Sequence, residues 1–202
     1  MKRFIESELN IWKHKSRRKP LLLRGARQVG KTYSIRELGK NFKYFIEINF
    51  ESDKQIHGFF DENLKADEIC LKLSAWYSTP IVDGETLLFF DEIQSCIPAI
   101  SSLRFFYEQR PNLHLIGAGS LLEFAMEELP SFGVGRIESL YLYPMSFDEF
   151  LLANNQEAIL EIRNQSKPEN PLNEAFHKRL LDQLKIFMLI GGMPEVVCSF
   201  IE

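Results

Sequence analysis

Two glycines followed by a lysine and a threonine form the clearest chemical signal in the chain. The segment from Gly25 to Thr32 reads GARQVGKT and matches the pattern GxxxxGK[ST] in full. Glycines at these two positions allow the backbone to form a concave loop whose N–H groups point at phosphate oxygens, and the helix that follows adds its positive N-terminus. The pattern predicts that Lys31 reaches the β- and γ-phosphates of a nucleotide and that the Thr32 hydroxyl ligates Mg²⁺. The residues predicted to contact the nucleotide are Gly25, Ala26, Arg27, Gln28, Val29, Gly30, Lys31, Thr32 and Tyr33.

Two adjacent carboxylates, Asp91 and Glu92, follow the apolar segment LLFF. A carboxylate that emerges from a buried strand beside the first strand can hold the water shell of Mg²⁺, and Asp91 is assigned this role. An adjacent glutamate can polarise the attacking water, and Glu92 is assigned that role. Many strands also end in surface carboxylates. The pair indicates a metal and water site because a phosphate loop lies upstream in the same chain. Together the two motifs predict hydrolysis of a nucleoside triphosphate.

Ser120 ends the segment LIGAGS, which is predicted to be a strand. A polar side chain at this strand end would lie between the two phosphate-facing strand ends and sense the γ-phosphate, with Gly117 and Gly119 allowing close approach. The alternative is that Ser120 is the N-cap of the helix LLEFAMEEL, with Glu123 completing a capping box.

Three further polar side chains each have two interpretations. Asn49, at a strand end, either holds Glu92 away from the attacking water until a trigger arrives or forms a turn. Arg136, after FGVG and before a strand, either stabilises charge on a γ-phosphoryl group or lies on the surface. Arg27, inside the loop, either covers the nucleotide or faces solvent.

The elements that must position these residues follow from hydrophobic patterning. Short apolar segments alternate with longer amphipathic ones, which predicts an α/β fold with a parallel sheet covered by helices. Strands are predicted at 21–25, 44–50, 86–90, 112–120 and 137–143, and helices at 3–18, 31–40, 52–78 (as two helices) and 101–110. Beyond Pro144 only helical patterns remain, at 146–154, 156–165 and 172–190. We therefore predict a core over residues 1–145 and a small helical unit over residues 146–202.

Composition restricts the classes of protein. With 202 residues, 45% of them hydrophobic and 26% charged, one core or one core plus a small appendage is expected. A formal net charge of −4 gives no overall basic field for nucleic acid or an anionic membrane. The three cysteines form no CxxC or Cys/His cluster, which favours reduced thiols. The sequence has no signal peptide and no apolar run of roughly 18 residues, so we expect a cytoplasmic protein without a membrane segment.

Two features of the chain ends bear on partners. The basic run KHKSRRK at residues 13–19 is either a solvated face at the end of the first helix or a contact to nucleic acid. The sequence stops at Glu202 within an apolar helical pattern, from which we expect a longer natural chain.

Five segments, in order along the chain, resemble a prokaryotic family of AAA-type ATPases: LLLRGARQVGKT, LLFFDEIQ, LIGAGS, GRIESLYLYPMSFDEFL and IGGMPEVV. The resemblance spans nearly the whole chain. It implies a three-layer P-loop NTPase sandwich with a parallel sheet of order 5-1-4-3-2 and a small C-terminal helical lid. Members of this family usually continue into a C-terminal domain of unknown function that resembles restriction-endonuclease folds, so an effector domain beyond residue 202 is implied.

The same resemblance implies roles for single residues. Asn49 stands at the position of a glutamate switch, and Arg136 at that of an arginine finger for a neighbouring subunit, which implies self-association. Pro194, in GGMPE, matches a Gly-x-Pro turn that contacts the nucleotide in related signal-transduction ATPases; an ordinary helix end followed by a new helix start is the alternative. Ser120 departs from the family pattern, because many AAA proteins have asparagine there.

The sequence therefore predicts slow, Mg²⁺-dependent ATP hydrolysis that acts as a conformational switch for an attached or partner effector. A small-molecule kinase would also use GKT but rarely pairs it with an adjacent catalytic glutamate. A GTPase needs an NKxD-type segment, which this sequence lacks. The remaining alternative is an ATP-gated scaffold or nucleic-acid-binding module with negligible hydrolysis.

Overall fold

The computed structural model describes residues 1–61, 63–120, 122 and 135–202. The chain folds into two compact units. Ile5–Leu142 form the first, here called the sheet unit, and Met1–Phe4 together with Tyr143–Glu202 form the second, here called the helical unit. The division after Leu142 lies next to the boundary predicted near residues 144–146, whereas sequence patterns did not place Met1–Phe4 with the helices. The assignment of two domains stays a prediction.

Five parallel strands form the centre of the sheet unit. They are β1 (Leu21–Arg24), β2 (Tyr44–Asn49), β3 (Thr86–Asp91), β4 (His114–Gly119) and β5 (Glu138–Tyr141), in the order β2-β3-β4-β1-β5. Every residue of β3 and β4 is buried, so both faces of the sheet are covered, as is typical of a parallel sheet between helices. The predicted order 5-1-4-3-2 is confirmed, since it is the same order counted from the other edge.

The helices of the sheet unit follow the predicted pattern with shifted ends. They are α1 (Ile5–Lys13), α2 (Lys31–Gly39), α3 (Ala66–Tyr77) and α4 (Ile97–Gln109), with short 3-10 helices at Lys54–Phe59 and Ile93–Ser95. α1 is shorter than predicted because the chain turns back after it, which lets the Trp12 indole donate to the Lys19 carbonyl at 2.8 Å. α4 starts four residues earlier than predicted, with Pro98 in its first turn, where proline is favoured.

Four helices and the first four residues make up the helical unit as far as it is described. The helices are α5 (Phe147–Ala153), α6 (Glu157–Gln165), α7 (Glu174–Ile190) and α8 (Pro194–Ile201). Their apolar faces pack with Met145, which precedes α5, in a core that also contains Phe150, Leu151, Ile159, Leu160, Leu180 and Val197. Arg3 Nε donates to Glu149 Oε1 at 2.9 Å, and this buried ion pair fastens Met1–Phe4 to the unit.

Among the described residues, no helix combines the length and the apolar character needed to cross a bilayer.

Candidate nucleotide-binding site

The loop between β1 and α2 has the backbone shape that its glycines predict. Gly25 has φ 147°, Gln28 has φ 64° and Gly30 has φ 96°, so three of its residues lie in the left-handed half of conformational space. A Cβ at residue 25 would overlap the carbonyl oxygen of Leu142, which leaves glycine as the residue that fits. Ala26, Arg27 and Gln28 are exposed, whereas Val29 is buried and anchors the loop to the core. The result is a concave loop of the shape that favours phosphate binding.

Lys31 is the first residue of α2, and its side chain curls back across the loop. Its Nζ donates to the carbonyl oxygens of Gly25 and Ala26 at 2.8 and 2.7 Å. Burial lowers the pKa of Lys31, and the negative charges of Glu92 and Asp91 oppose that shift. The structure therefore brings the predicted phosphate-binding lysine and both predicted carboxylates into one electrostatic neighbourhood.

The two predicted metal ligands touch each other. The Thr32 hydroxyl donates to Asp91 Oδ2 at 3.0 Å, and the backbone N–H of Glu92 donates to Asp91 Oδ1 at 3.1 Å. Burial raises the pKa of Asp91, which is 4% exposed, while these two donors act in the opposite direction. One hydroxyl and one carboxylate suit Mg²⁺, which takes oxygen ligands, keeps several waters and completes its shell with substrate phosphates.

Glu92 leaves β3 in a left-handed conformation, with φ 47° and ψ 44°. Its Oε2 accepts a hydrogen bond of 2.6 Å from Nε2 of Gln94, in the 3-10 helix that follows. Sequence patterns did not single out Gln94, because an apolar strand that ends in two carboxylates gives no signal of a left-handed turn at the second one.

Ser120 is buried at the end of β4 and meets the loop through Arg27. Arg27 Nε donates to Ser120 Oγ at 3.3 Å. Gly117 and Gly119 of β4 were predicted to allow close approach. The turn after β3 is what approaches them, because Cβ atoms at these two positions would crowd Ile93 and Gln94. The alternative for Ser120, a cap on the helix LLEFAMEEL with Glu123, falls on residues 121 and 123–134, outside the described residues.

Asn49 forms the turn after β2. Its Oδ1 accepts hydrogen bonds from the backbone N–H groups of Glu51 and Ser52 at 3.0 and 3.1 Å. Asn49 pairs in register with Asp91, so it lies at the correct edge of the sheet. The switch role of Asn49 stays a prediction, and the amide that contacts Glu92 in the structure belongs to Gln94.

Arg136 lies at the N-terminal ends of the parallel strands, whereas the loop lies at their C-terminal ends. It comes just before β5, whose Glu138 pairs in register with Leu21 at the start of β1, whereas the loop follows Arg24 at the end of β1. A strand of the four residues of β1 spans roughly 13 Å. Arg136 Nε pairs with Glu108 Oε1 at 2.7 Å on a half-exposed surface. The role of Arg136 as an arginine finger stays a prediction.

Two other predicted contact residues stand apart from this cluster. Tyr33 is 49% exposed on the first turn of α2. Pro194 starts α8 in the helical unit, which fits an ordinary helix start, and its contact with a nucleotide stays a prediction.

A family model described as an AAA domain matches residues 17–151 of the chain. The chain belongs to the AAA domain family. The family and the strand order together confirm the resemblance to AAA-type P-loop ATPases and the α/β P-loop NTPase fold. In this AAA domain, the matched residues include the phosphate loop, the acidic pair and Ser120.

Two solved structures illustrate what the chain is similar to. A Walker-type ATPase of Pyrococcus abyssi is 18% identical with a TM-score of 0.55, over 97% of this chain and 65% of that one. The Aeropyrum pernix ORC1 protein in complex with DNA is 14% identical with a TM-score of 0.47, over 96% of this chain and 62% of that one. The AAA domain chain thus spans less than two thirds of either structure. No curated protein matches its sequence.

Proposed function

We propose that this AAA domain binds ATP together with Mg²⁺ and hydrolyses it, with the change of nucleotide acting as a conformational switch. The contact between Thr32 Oγ1 and Asp91 Oδ2 at 3.0 Å carries this proposal. It joins the end of the phosphate loop to the acidic strand end, which is the arrangement that a shared magnesium ion requires. A phosphate loop without a facing carboxylate would support anion binding alone.

The chain's own groups have distinct tasks in this mechanism. The backbone N–H groups of the loop and the ammonium of Lys31 bind the phosphate oxygens, so Lys31 exchanges its two loop carbonyls for phosphate. Thr32 and Asp91 would hold Mg²⁺, which would supply positive charge beside the phosphates. Glu92 accepts the proton of the attacking water.

The switch draws on residues at the rim of the site. Ser120 and Arg27 already meet, so a γ-phosphate that replaces this contact would pull the end of β4 and the loop toward the nucleotide. Arg136 is proposed to serve a neighbouring subunit, with self-association separating it from Glu108. An attached or partner effector would receive the change.

Part of the basic run at residues 13–19 is engaged within the chain. Lys13 donates to the Asn41 carbonyl at 3.0 Å, Lys15 to Glu138 at 2.6 Å and Arg18 to the Asn112 carbonyl at 2.8 Å. These contacts favour a structural role for the run over a contact to nucleic acid.

The proposed function is tested by calorimetric titration with ATP and Mg²⁺ and by release of free phosphate. We expect binding that Lys31→Ala weakens by about tenfold or more, because a cation at the phosphates is lost, and that Lys40→Ala, in an exposed pair with Glu37, leaves unchanged. Glu92→Gln should keep binding and lower phosphate release by about 10²- to 10⁴-fold. Binding that survives Lys31→Ala contradicts the proposal, as does a phosphorylated acceptor in place of free phosphate or equal competition by GTP.

A further inference from the structure

The turn after β3 brings the side chains of Glu92 and Gln94 together. Glu92 has the left-handed conformation and precedes a single turn of 3-10 helix. In this turn the Ser95 N–H donates a hydrogen bond to the Glu92 carbonyl at 3.0 Å. This turn places Gln94 beside the residue two positions earlier, and its Nε2 donates to Glu92 Oε2 at 2.6 Å. The hydrogen bond is at the short end of the range, as expected for a charged acceptor.

The amide of Gln94 has one possible orientation. A carboxylate only accepts hydrogen bonds, so the NH₂ group must face Glu92 and the amide oxygen must face away. That oxygen is buried, and it has no hydrogen-bond partner among the described residues. It lies against Gly119 of β4, where any Cβ would overlap it. Gln94 is therefore held between the carboxylate on one side and the backbone of β4 on the other.

We propose that Gln94 is the positioning residue for Glu92, and that it sets the direction of this carboxylate from the end of β4. Gly119 precedes Ser120, whose hydroxyl accepts from Arg27 of the phosphate loop. A displacement of Ser120 also moves Gly119, which packs against the Gln94 amide. Because this amide is hydrogen-bonded to Glu92, its shift changes the position of the Glu92 carboxylate. This inference rests on the proposed hydrolysis, in which Glu92 is the general base.

The kinetic test replaces Gln94 by alanine and by methionine, which keeps the length of the side chain and loses the donor. Both variants should lower kcat by about 10- to 100-fold, the usual effect of removing a group that orients a catalytic one. The KM for ATP and the calorimetric affinity should stay within about twofold, because Lys31, Thr32 and Asp91 are untouched. In a Glu92→Ala background, Gln94→Met should cause no further loss, since Gln94 acts through Glu92.

A matched control separates positioning from stability. Gln109 Oε1 accepts the Ala66 N–H at 2.8 Å, at the start of α3 and away from the loop. Gln109→Met removes one structural amide bond in the same way, so it should lower the melting temperature and leave kcat unchanged. A fall in kcat that tracks the melting temperature in both variants would overturn the proposal.

A second test needs no hydrolysis. In the ¹⁵N spectrum of the nucleotide-free protein, the side-chain NH₂ signals of Gln94 are identified by their loss in Gln94→Met. They should shift in Glu92→Ala and in Gly119→Ala, where the new methyl group displaces the amide, and stay in place in Gln109→Met.

The outcomes distinguish this inference from the proposed function. Wild-type protein that binds no ATP, or releases no phosphate, ends the proposed function and with it this inference. Wild-type hydrolysis with unchanged kcat in Gln94→Met, or Gln94 signals that ignore Glu92→Ala, overturns the inference and leaves the proposed function in place. Reduced kcat at constant affinity, with no further loss in the Glu92→Ala background, supports it.

Discussion

Gly25 occupies a point of the site where even a methyl group has no room. Its φ of 147° is one that residues with a side chain rarely adopt, and the Leu142 carbonyl lies where a Cβ would be. Leu142 directly follows β5 and donates its N–H to the Arg24 carbonyl at 2.8 Å, so the loop is fastened to the edge strand as it leaves β1. The shape of the phosphate loop therefore depends on this one position.

We predict that Gly25→Ala destabilises the protein by about 3 kcal/mol and weakens ATP binding, because the strained φ and the displaced Leu142 carbonyl both act on the loop. Urea unfolding and calorimetric titration measure the two effects. Gly58→Ala is the control, since a Cβ there meets nothing within 4 Å. Equal effects of the two substitutions would contradict this account of Gly25.

Single residues also show where sequence patterns stop being informative. The placement of the loop, Asp91 and Glu92 at strand ends was predictable, because the positions of the strands follow from apolar runs. The contact between Gln94 and Glu92 was not predictable. It depends on a positive φ at Glu92, and a glutamate in the sequence gives no indication of that conformation. Asn49 was given two interpretations because an amide at a strand end forms a turn as readily as it contacts a neighbouring strand.

At the scale of elements, the start of β4 packs against α1 through a buried histidine. The His114 ring lies edge-on to Trp12 and to Phe42, with centroids 5.9 and 4.6 Å away. Its Nε2 is 3.3 Å from the Lys13 carbonyl, which requires that this nitrogen carry the proton. Burial lowers the pKa of His114 to about 4, and the nearby charge of Arg18 acts in the same direction.

We predict that His114 makes the fold sensitive to mild acid. In the unfolded chain the His114 imidazole takes up a proton near pH 6.5, whereas in the folded chain it does so only near pH 4. Protonation therefore stabilises the unfolded state relative to the folded state as the pH falls through this interval. The free energy of unfolding should drop by roughly 2–3 kcal/mol between these values. Urea unfolding at several pH values should show a flatter profile for His114→Phe and an unchanged one for His177→Gln, at an exposed position of α7. An equally steep profile in His114→Phe would refute this assignment.

The elements themselves were largely predictable, and their ends less so. The order of the sheet follows from the family resemblance, and each strand from a short apolar run. The end of α1 was missed because Trp12 pulls Lys19 back toward it, a contact between residues seven apart that helical periodicity does not encode. The first of the two helices predicted within residues 52–78 is a 3-10 helix at Lys54–Phe59, where the His57 ring is hydrogen-bonded to the Phe50 carbonyl at 2.8 Å.

At the scale of the whole molecule, the helical unit is built from two separate parts of the chain. Glu149 Oε1 accepts from Arg3 Nε and from the Phe4 N–H at 2.9 and 2.8 Å, and its Oε2 accepts from the Ser146 N–H at 2.9 Å. Burial alone would raise the pKa of Glu149, but these donors and the charge of Arg3 hold it below its ordinary value. The carboxylate thus serves both the capping box of α5 and the attachment of Met1–Phe4.

We predict that Arg3→Met destabilises the helical unit by about 3–5 kcal/mol, because it leaves a buried carboxylate without its cation. Adding Glu149→Gln should restore part of the loss, since glutamine keeps the capping box and carries no charge. Thermal unfolding followed by circular dichroism measures both, with Lys2→Met at an exposed position as the control. A double variant less stable than Arg3→Met alone would show that the charge is not the cause.

The attachment of Arg3 to Glu149 also sets an order of events during synthesis. Arg3 is translated 146 positions before its partner, and at about 5–20 residues per second the ribosome takes roughly 7–30 s to cover that distance. All five strands are made within this interval, so the sheet can form while Arg3 still lacks its carboxylate. The helical unit is therefore completed after all the strands of the sheet unit have been synthesised.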